Sequence, residues 1–117
     1  MTSISEQKCT PCTGNSPPVT PGEISTLKPQ IPDWSIVDHD GTLRLERVYK
    51  FPDFKQALAF TQAIGEEAEK EGHHPALLTE WGTVTVTWWT HAIEGLHRND
   101  FIMAAKTDQI KAQQFST

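Results

Sequence analysis

No stretch of this sequence approaches the roughly 20 consecutive apolar residues that a membrane-spanning helix needs. No run of Lys or Arg is present to release counterions from a phosphate backbone, and the net charge of −5 argues against nucleic acid as a partner. The N-terminus carries no charged-then-apolar signal pattern, so the cytoplasm is the expected compartment. Internal repeats are absent. Cysteine is scarce: the chain has two, in Cys9-Thr-Pro-Cys12. Such a motif could be half a zinc site, a redox pair or two ordinary thiols. A tetrahedral zinc site needs two further ligands, and there is no second CxxC. A thioredoxin-like pair belongs between a strand and a helix, whereas this one sits in a Ser/Thr/Pro-rich leader. No essential role is expected of it.

What is present fits one globular domain. The chain has 117 residues, 37% of them hydrophobic, with four Trp and five Phe. That suffices for a single core. Residues 1–19, rich in Thr, Ser, Pro and Gly, read as a flexible arm, leaving 20–117 as the domain. A short helix is expected from Thr20 to about Leu27, with Pro21 at its first position and Glu23 in its first turn. Pro29 and Pro32 should end it. Asp33–Val37 reads as a strand and Asp38-His39-Asp40-Gly41 as a turn.

Leu43–Phe51 alternates with period two, one misfit on each face, as a strand with one buried side does. Asp53 and Gln56 form a capping-box pattern for the clearest helix. Its stripe is Phe54, Ala57, Leu58, Ile64 and Ala68, and Gly72 suits its C-terminal cap. Leu77–Glu80 and Thr83–Trp89 form a hairpin around Trp81-Gly82, with Val84, Val86 and Trp88 on one face. A last helix runs from about Asn99 to Gln113, capped by His97 or Asn99. The order α-β-β-α-β-β-α predicts an α+β fold: a four-stranded, mostly antiparallel sheet with helices on one face.

The chemistry concentrates between Glu69 and Asp100. This segment holds His73-His74-Pro75, then a strand, then Thr90-His91, Gly95-Leu96 and Asp100. Imidazoles have an unperturbed pKa of about 6.5, so they can donate and accept protons near neutrality. Carboxylates such as Glu69 and Asp100 can fix an imidazole's tautomer and stabilise its charged form. Equally, either acid could be a solvated helix-end residue. Pro75 confines His74 to extended geometry, and adjacent side chains on an extended segment diverge. His39 and His97 read as surface or turn residues. Trp81 and Trp89 read as packing residues, with ring stacking on a ligand as the lesser alternative.

The run Gly72-His73-His74-Pro75, Thr90-His91, Gly95-Leu96 and Asp100 resembles the pterin-4a-carbinolamine dehydratase family, over roughly Thr20 to Asp108. The resemblance implies dehydration of 4a-hydroxytetrahydrobiopterin to quinonoid dihydropterin, which recycles the cofactor of aromatic amino acid hydroxylases. It implies a metal-free and cofactor-free enzyme of the α+β fold, assembled as a homodimer or homotetramer. By position it makes His73, His74 and His91 the catalytic histidines. Glu69, Pro75 and Asp100 become substrate-binding or orienting residues. His73 and His91 are expected to face the leaving hydroxyl and the ring nitrogen, with His74 orienting the substrate. Some members carry Asp at Gly72, an aromatic at Leu77 and Arg at Asn99, so substrate contacts differ more than the chemistry.

Two competing readings follow from the same residues. The histidines with Glu69 or Asp100 include ligand types that suit Zn²⁺ or Fe²⁺. Against a metal, no HxxxH or HxH spacing sets two imidazoles on one face. A non-enzymatic dimerisation or coactivator-type module could use the same fold, although it would have no physical need for this constellation.

Overall fold

The computed structural model describes residues 18–93 and 95–115, so Cys9, Cys12 and most of the expected arm lie outside the described residues. Val19 is tied down: its N–H donates to the Leu96 carbonyl at 2.9 Å, and its side chain packs on the core. The element order is α1 (Pro21–Leu27), β1 (Ser35–His39), β2 (Thr42–Lys50), α2 (Phe54–Glu71), β3 (Ala76–Glu80), β4 (Thr83–Trp88) and α3 (Arg98–Gln114). The strands form one antiparallel sheet in the order β1-β2-β4-β3. This is the α+β arrangement expected from the sequence.

Local chemistry sets the boundaries. Thr20 caps α1 through a complete capping box with Glu23, which satisfies two helix-end donors reciprocally. A 3₁₀ turn at Lys28–Gln30 extends past α1 with Pro29 inside it, so the chain turns more gradually than expected. The first hairpin is shifted from its expected place. β1 begins at Ser35 and runs through His39, which is paired with Thr42. Asp40 and Gly41 alone make the bend, with φ values of 54° and 89°. Positive φ at both central residues is the two-residue hairpin geometry that lets strands pair up to the turn.

On β2 the odd residues face the helices. Leu45 and Tyr49 are buried there, while Val48 on the other face is half exposed. α2 supplies Ala57, Phe60, Ile64 and Ala68 to the same core, and α3 supplies Phe101, Met103, Ala104 and Ala105. The expected α2 stripe is corrected at two positions: Phe54 and Leu58 are 44% and 51% exposed. They lie about 60° and 100° around the helix from Ala57, on its flank, and Phe60 holds the centre. Its ring sits 4.8 Å from Tyr49, 5.1 Å from Phe51 and 5.5 Å from Phe115. Val84, Val86 and Trp88 are buried on one face of β4 as expected, and the Trp88 indole donates to Thr107 of α3 at 3.1 Å.

The misfit at Arg47, a charge on the apolar face of β2, is resolved by Asp108 of α3. Asp108 Oδ1 accepts from Arg47 at 2.8 Å, from the Trp34 indole at 3.0 Å and from the Tyr49 hydroxyl. The Arg47 guanidinium lies 4.4 Å above the Tyr49 ring. Burial, then the charge of Asp108 and its hydrogen bond, push the Tyr49 phenol far above its ordinary range, with Arg47 opposing.

The native state therefore retains a proton that the unfolded chain releases above about pH 10, and stability must fall as pH rises through that point. Tyr49 is the single tyrosine of the chain, so tyrosinate absorbance reports it alone. In an alkaline titration the absorbance should rise in step with the loss of circular dichroism. A tyrosinate signal that develops fully while the fold is intact would contradict this.

Candidate active site

The site begins where α2 ends. Gly72 adopts φ 65°, the left-handed cap conformation that favours glycine. Its N–H donates to Glu69 O, and the N–H of His73 returns to Ala68 O at 3.2 Å. This cap turns the chain sharply into His73-His74-Pro75, and Pro75 holds His74 extended. The two imidazoles accordingly part. His73 is 8% exposed and lies on the Trp88 ring, 5.7 Å between centroids and within 6° of parallel. His74 faces solvent and bonds Glu69 Oε1 through Nε2 at 2.8 Å.

His73 reaches inward to Asp100, Nε2 to Oδ1 at 2.7 Å. Asp100 is fully buried in the first turn of α3. Its second oxygen accepts from Thr90 Oγ1 and from the His97 N–H, both at 2.8 Å. The last of these is half of a capping box, since His97 Nδ1 accepts from Asn99 N at 3.1 Å. His97, expected as a surface residue or cap, is the N-cap of α3. A carboxylate only accepts, so His73 presents Nε2–H to Asp100 and leaves Nδ1 for other chemistry.

The Thr90-His91…Gly95-Leu96 motif closes a short loop. Thr90 and Gly95 exchange backbone hydrogen bonds at 2.8 and 3.3 Å, Leu96 enters the core, and Thr90 reaches Asp100. β4 does not continue to His91; a 3₁₀ turn at His91–Ile93 replaces it. His91 is exposed, its ring 4.5 Å from that of Trp89 at an interplanar angle of 31°.

His73, Asp100 and Thr90 are thus in direct contact, His91 follows Thr90 in the chain, and His74 pairs separately with Glu69. Two partners escaped the sequence reading. The hydroxyl of Thr90 as a ligand of Asp100 leaves no sequence signal beyond its place beside His91. The Arg44 guanidinium, 3.9 Å over the Trp89 ring, depends on which strand neighbours which, and spacing does not reveal that. Trp81 is 74% exposed at the β3–β4 turn, outside the core. Among the described residues, no three His, Cys, Asp or Glu side chains are grouped to hold a metal ion, and no helix is long and apolar enough to cross a membrane.

The family model for pterin 4 alpha carbinolamine dehydratase matches residues 17–110, which contain every residue of this cluster. The chain belongs to the pterin-4a-carbinolamine dehydratase family. One relative of this dehydratase family, from Microcystis aeruginosa (strain NIES-843 / IAM M-2473), is 59% identical over 114 residues. The match covers 97% of this chain and 98% of the relative, which carries the name pterin-4-alpha-carbinolamine dehydratase as a provisional assignment. Another, from Gloeobacter violaceus (strain ATCC 29082 / PCC 7421), is 64% identical over 110 residues. There the match covers 94% of this chain and 95% of the relative, provisionally named pterin-4-alpha-carbinolamine dehydratase 1. A crystal structure from Brucella melitensis, titled transcriptional coactivator/pterin dehydratase, superposes with a TM-score of 0.73 at 32% identity. It covers 80% of this chain and 98% of its own.

Asp100→Ala removes the acceptor for three donors and leaves His73 and Thr90 unpaired in the interior. It should destabilise the protein by about 3 kcal/mol. The measurement is a lower urea midpoint at unchanged slope; a loss below about 0.5 kcal/mol, the usual ceiling for a neutral surface change, would contradict this account.

Proposed function

We propose that this chain dehydrates a pterin-4a-carbinolamine such as 4a-hydroxytetrahydrobiopterin, with two of its imidazoles transferring protons and a third orienting the bound ring. The hydroxyl at the 4a carbon departs as water after gaining a proton, and the adjacent ring nitrogen loses one, giving the quinonoid dihydropterin. Such a reaction needs a general acid and a general base, each within hydrogen-bond reach. His73 is the base: Asp100 holds its Nε2–H, leaves Nδ1 to accept the ring-nitrogen proton, and stabilises the imidazolium that forms. His91 is the acid for the departing hydroxyl. His74, supported by Glu69, orients the substrate, with Pro75 fixing its backbone. Exchange with solvent resets both groups.

The observation that carries this reading is the buried Asp100 joining His73 to Thr90, the residue immediately before His91. A solvated surface pair needs no such support, whereas a base that must present one nitrogen does. On this reading the enzyme acts after a hydroxylase that leaves its pterin oxygenated at the 4a carbon. It works as a cytoplasmic homo-oligomer.

The test is dehydration of freshly generated carbinolamine, followed by absorbance against the spontaneous rate. Wild type should accelerate it. His73→Ala and His91→Ala should each lower kcat by about 10²- to 10⁴-fold, while His74→Ala should act mainly on KM. Glu69→Gln should cost little, because its pair with His74 is solvent-exposed. Equal losses in kcat at all three histidines would overturn this division of roles, and a wild-type rate equal to the spontaneous one would overturn the function.

A further inference from the structure

The three imidazoles are not held alike. His73 and His74 each bond a carboxylate, whereas His91 sits on an exposed 3₁₀ turn against an indole. That indole is itself covered. Arg44 projects from β2 to the sheet face opposite Leu45 and lies between Val37 on β1 and the end of β4. One step past the last registered pair, Leu45 opposite Trp88, it meets Trp89, and its guanidinium carbon rests 3.9 Å from the ring centroid. Arg44 Nε is buried and makes no hydrogen bond among the described residues.

A guanidinium seldom gives up a buried N–H without compensation. Here the compensation is the ring face: the aromatic quadrupole attracts the cation, and more strongly where water is excluded. Arg44 is in register with Val37 on β1 and its guanidinium lies on the Trp89 ring, so the guanidinium and the indole constrain each other. Trp89 is then a fixed platform, and His91, two residues on, rests on it at 4.5 Å, within the range of favourable ring contacts.

We propose that Arg44 and Trp89 are positioning residues for His91: the cation clamps the indole, and the indole sets the plane of the imidazole that delivers a proton to the leaving group. The indole holds the His91 ring in place as the Asp100 carboxylate holds that of His73. This inference rests on the dehydratase reading for its catalytic consequence, but the stack itself is testable without turnover.

Arg44→Met keeps the aliphatic stem and removes the charge. It should lower kcat roughly fivefold with KM within about twofold, as expected for losing one partly buried cation–π contact that acts on chemistry rather than binding. Arg44→Lys, which restores a cation over the ring, should recover part of the loss. The decisive comparison is made in a His91→Ala background, where Arg44→Met should cost nothing further, because a residue that acts through His91 has nothing left to position. An equal fold-loss in both backgrounds would overturn the proposal. Independently, the His91 ring protons should be shifted upfield in the NMR spectrum by the Trp89 ring current and should move toward free-histidine positions in Arg44→Met. Ring resonances that do not respond to Arg44→Met would also overturn it. If wild type lacks dehydratase activity, the functional reading fails and the NMR comparison alone decides whether Arg44 and Trp89 hold His91.

Discussion

One buried carboxylate holds the site together. Asp100 carries no accessible surface, and its two oxygens receive a side chain from the end of α2, a hydroxyl from the loop after β4 and the backbone of the α3 N-cap. Those segments also meet through apolar packing, which is close but not directional, and the carboxylate adds the directional bonds that orient them. A charge in the interior is tolerable when both its oxygens are hydrogen-bonded and a helix N-terminus adds its own field. Both conditions hold here. The same bonds that compensate for desolvating Asp100 also fix which nitrogen of His73 carries its proton to the carboxylate, so the tautomer of His73 is a by-product of packing.

The three imidazoles then occupy three different environments within one short stretch of chain. His73 lies flat on Trp88 and bonds a buried carboxylate, His74 is exposed beside Glu69, and His91 rests on Trp89, whose ring also carries a guanidinium. Identical side chains in unlike surroundings can take unlike roles, which a reaction with a separate acid and base requires. The scaffold contributes by keeping these environments distinct. Gly72 and Pro75 send the paired histidines apart, and the Thr90–Gly95 bridge stops β4 from carrying His91 onward as a regular strand residue.

How much of this was legible in the sequence depends on the range of the interaction. Signals written within four residues were read correctly: the Asp53 cap of α2, the Gly72 cap, and the alternation of Val84, Val86 and Trp88. Where the outcome depended on what lay across the core, local reading went wrong or stopped. Phe54 and Leu58 have the hydrophobicity of core residues and helical spacing, yet the sheet presents its surface to Phe60 instead. Arg47 looked like a flaw in β2 because its partner, Asp108, is far along the chain on α3. Thr90 was visible as part of a motif, but the bond that explains it spans to α3. The Arg44–Trp89 contact requires β2 and β4 to be neighbours, a fact of topology that periodicity does not encode.

The left-handed glycine at the end of α2 carries an implication for how such a chain can vary. Successive helical residues are rotated by about 100°, so one residue added to or removed from α2 would swing His73 away from Asp100 while leaving the hydrophobic content almost unchanged. The Asp40-Gly41 bend has no such phase to keep, because the place of Arg44 over Trp89 is set by the β2–β4 register rather than by the length of the turn. Length is thus free to drift at the rim of the sheet and is frozen inside the long helix, which works as a protractor whose last mark is an imidazole.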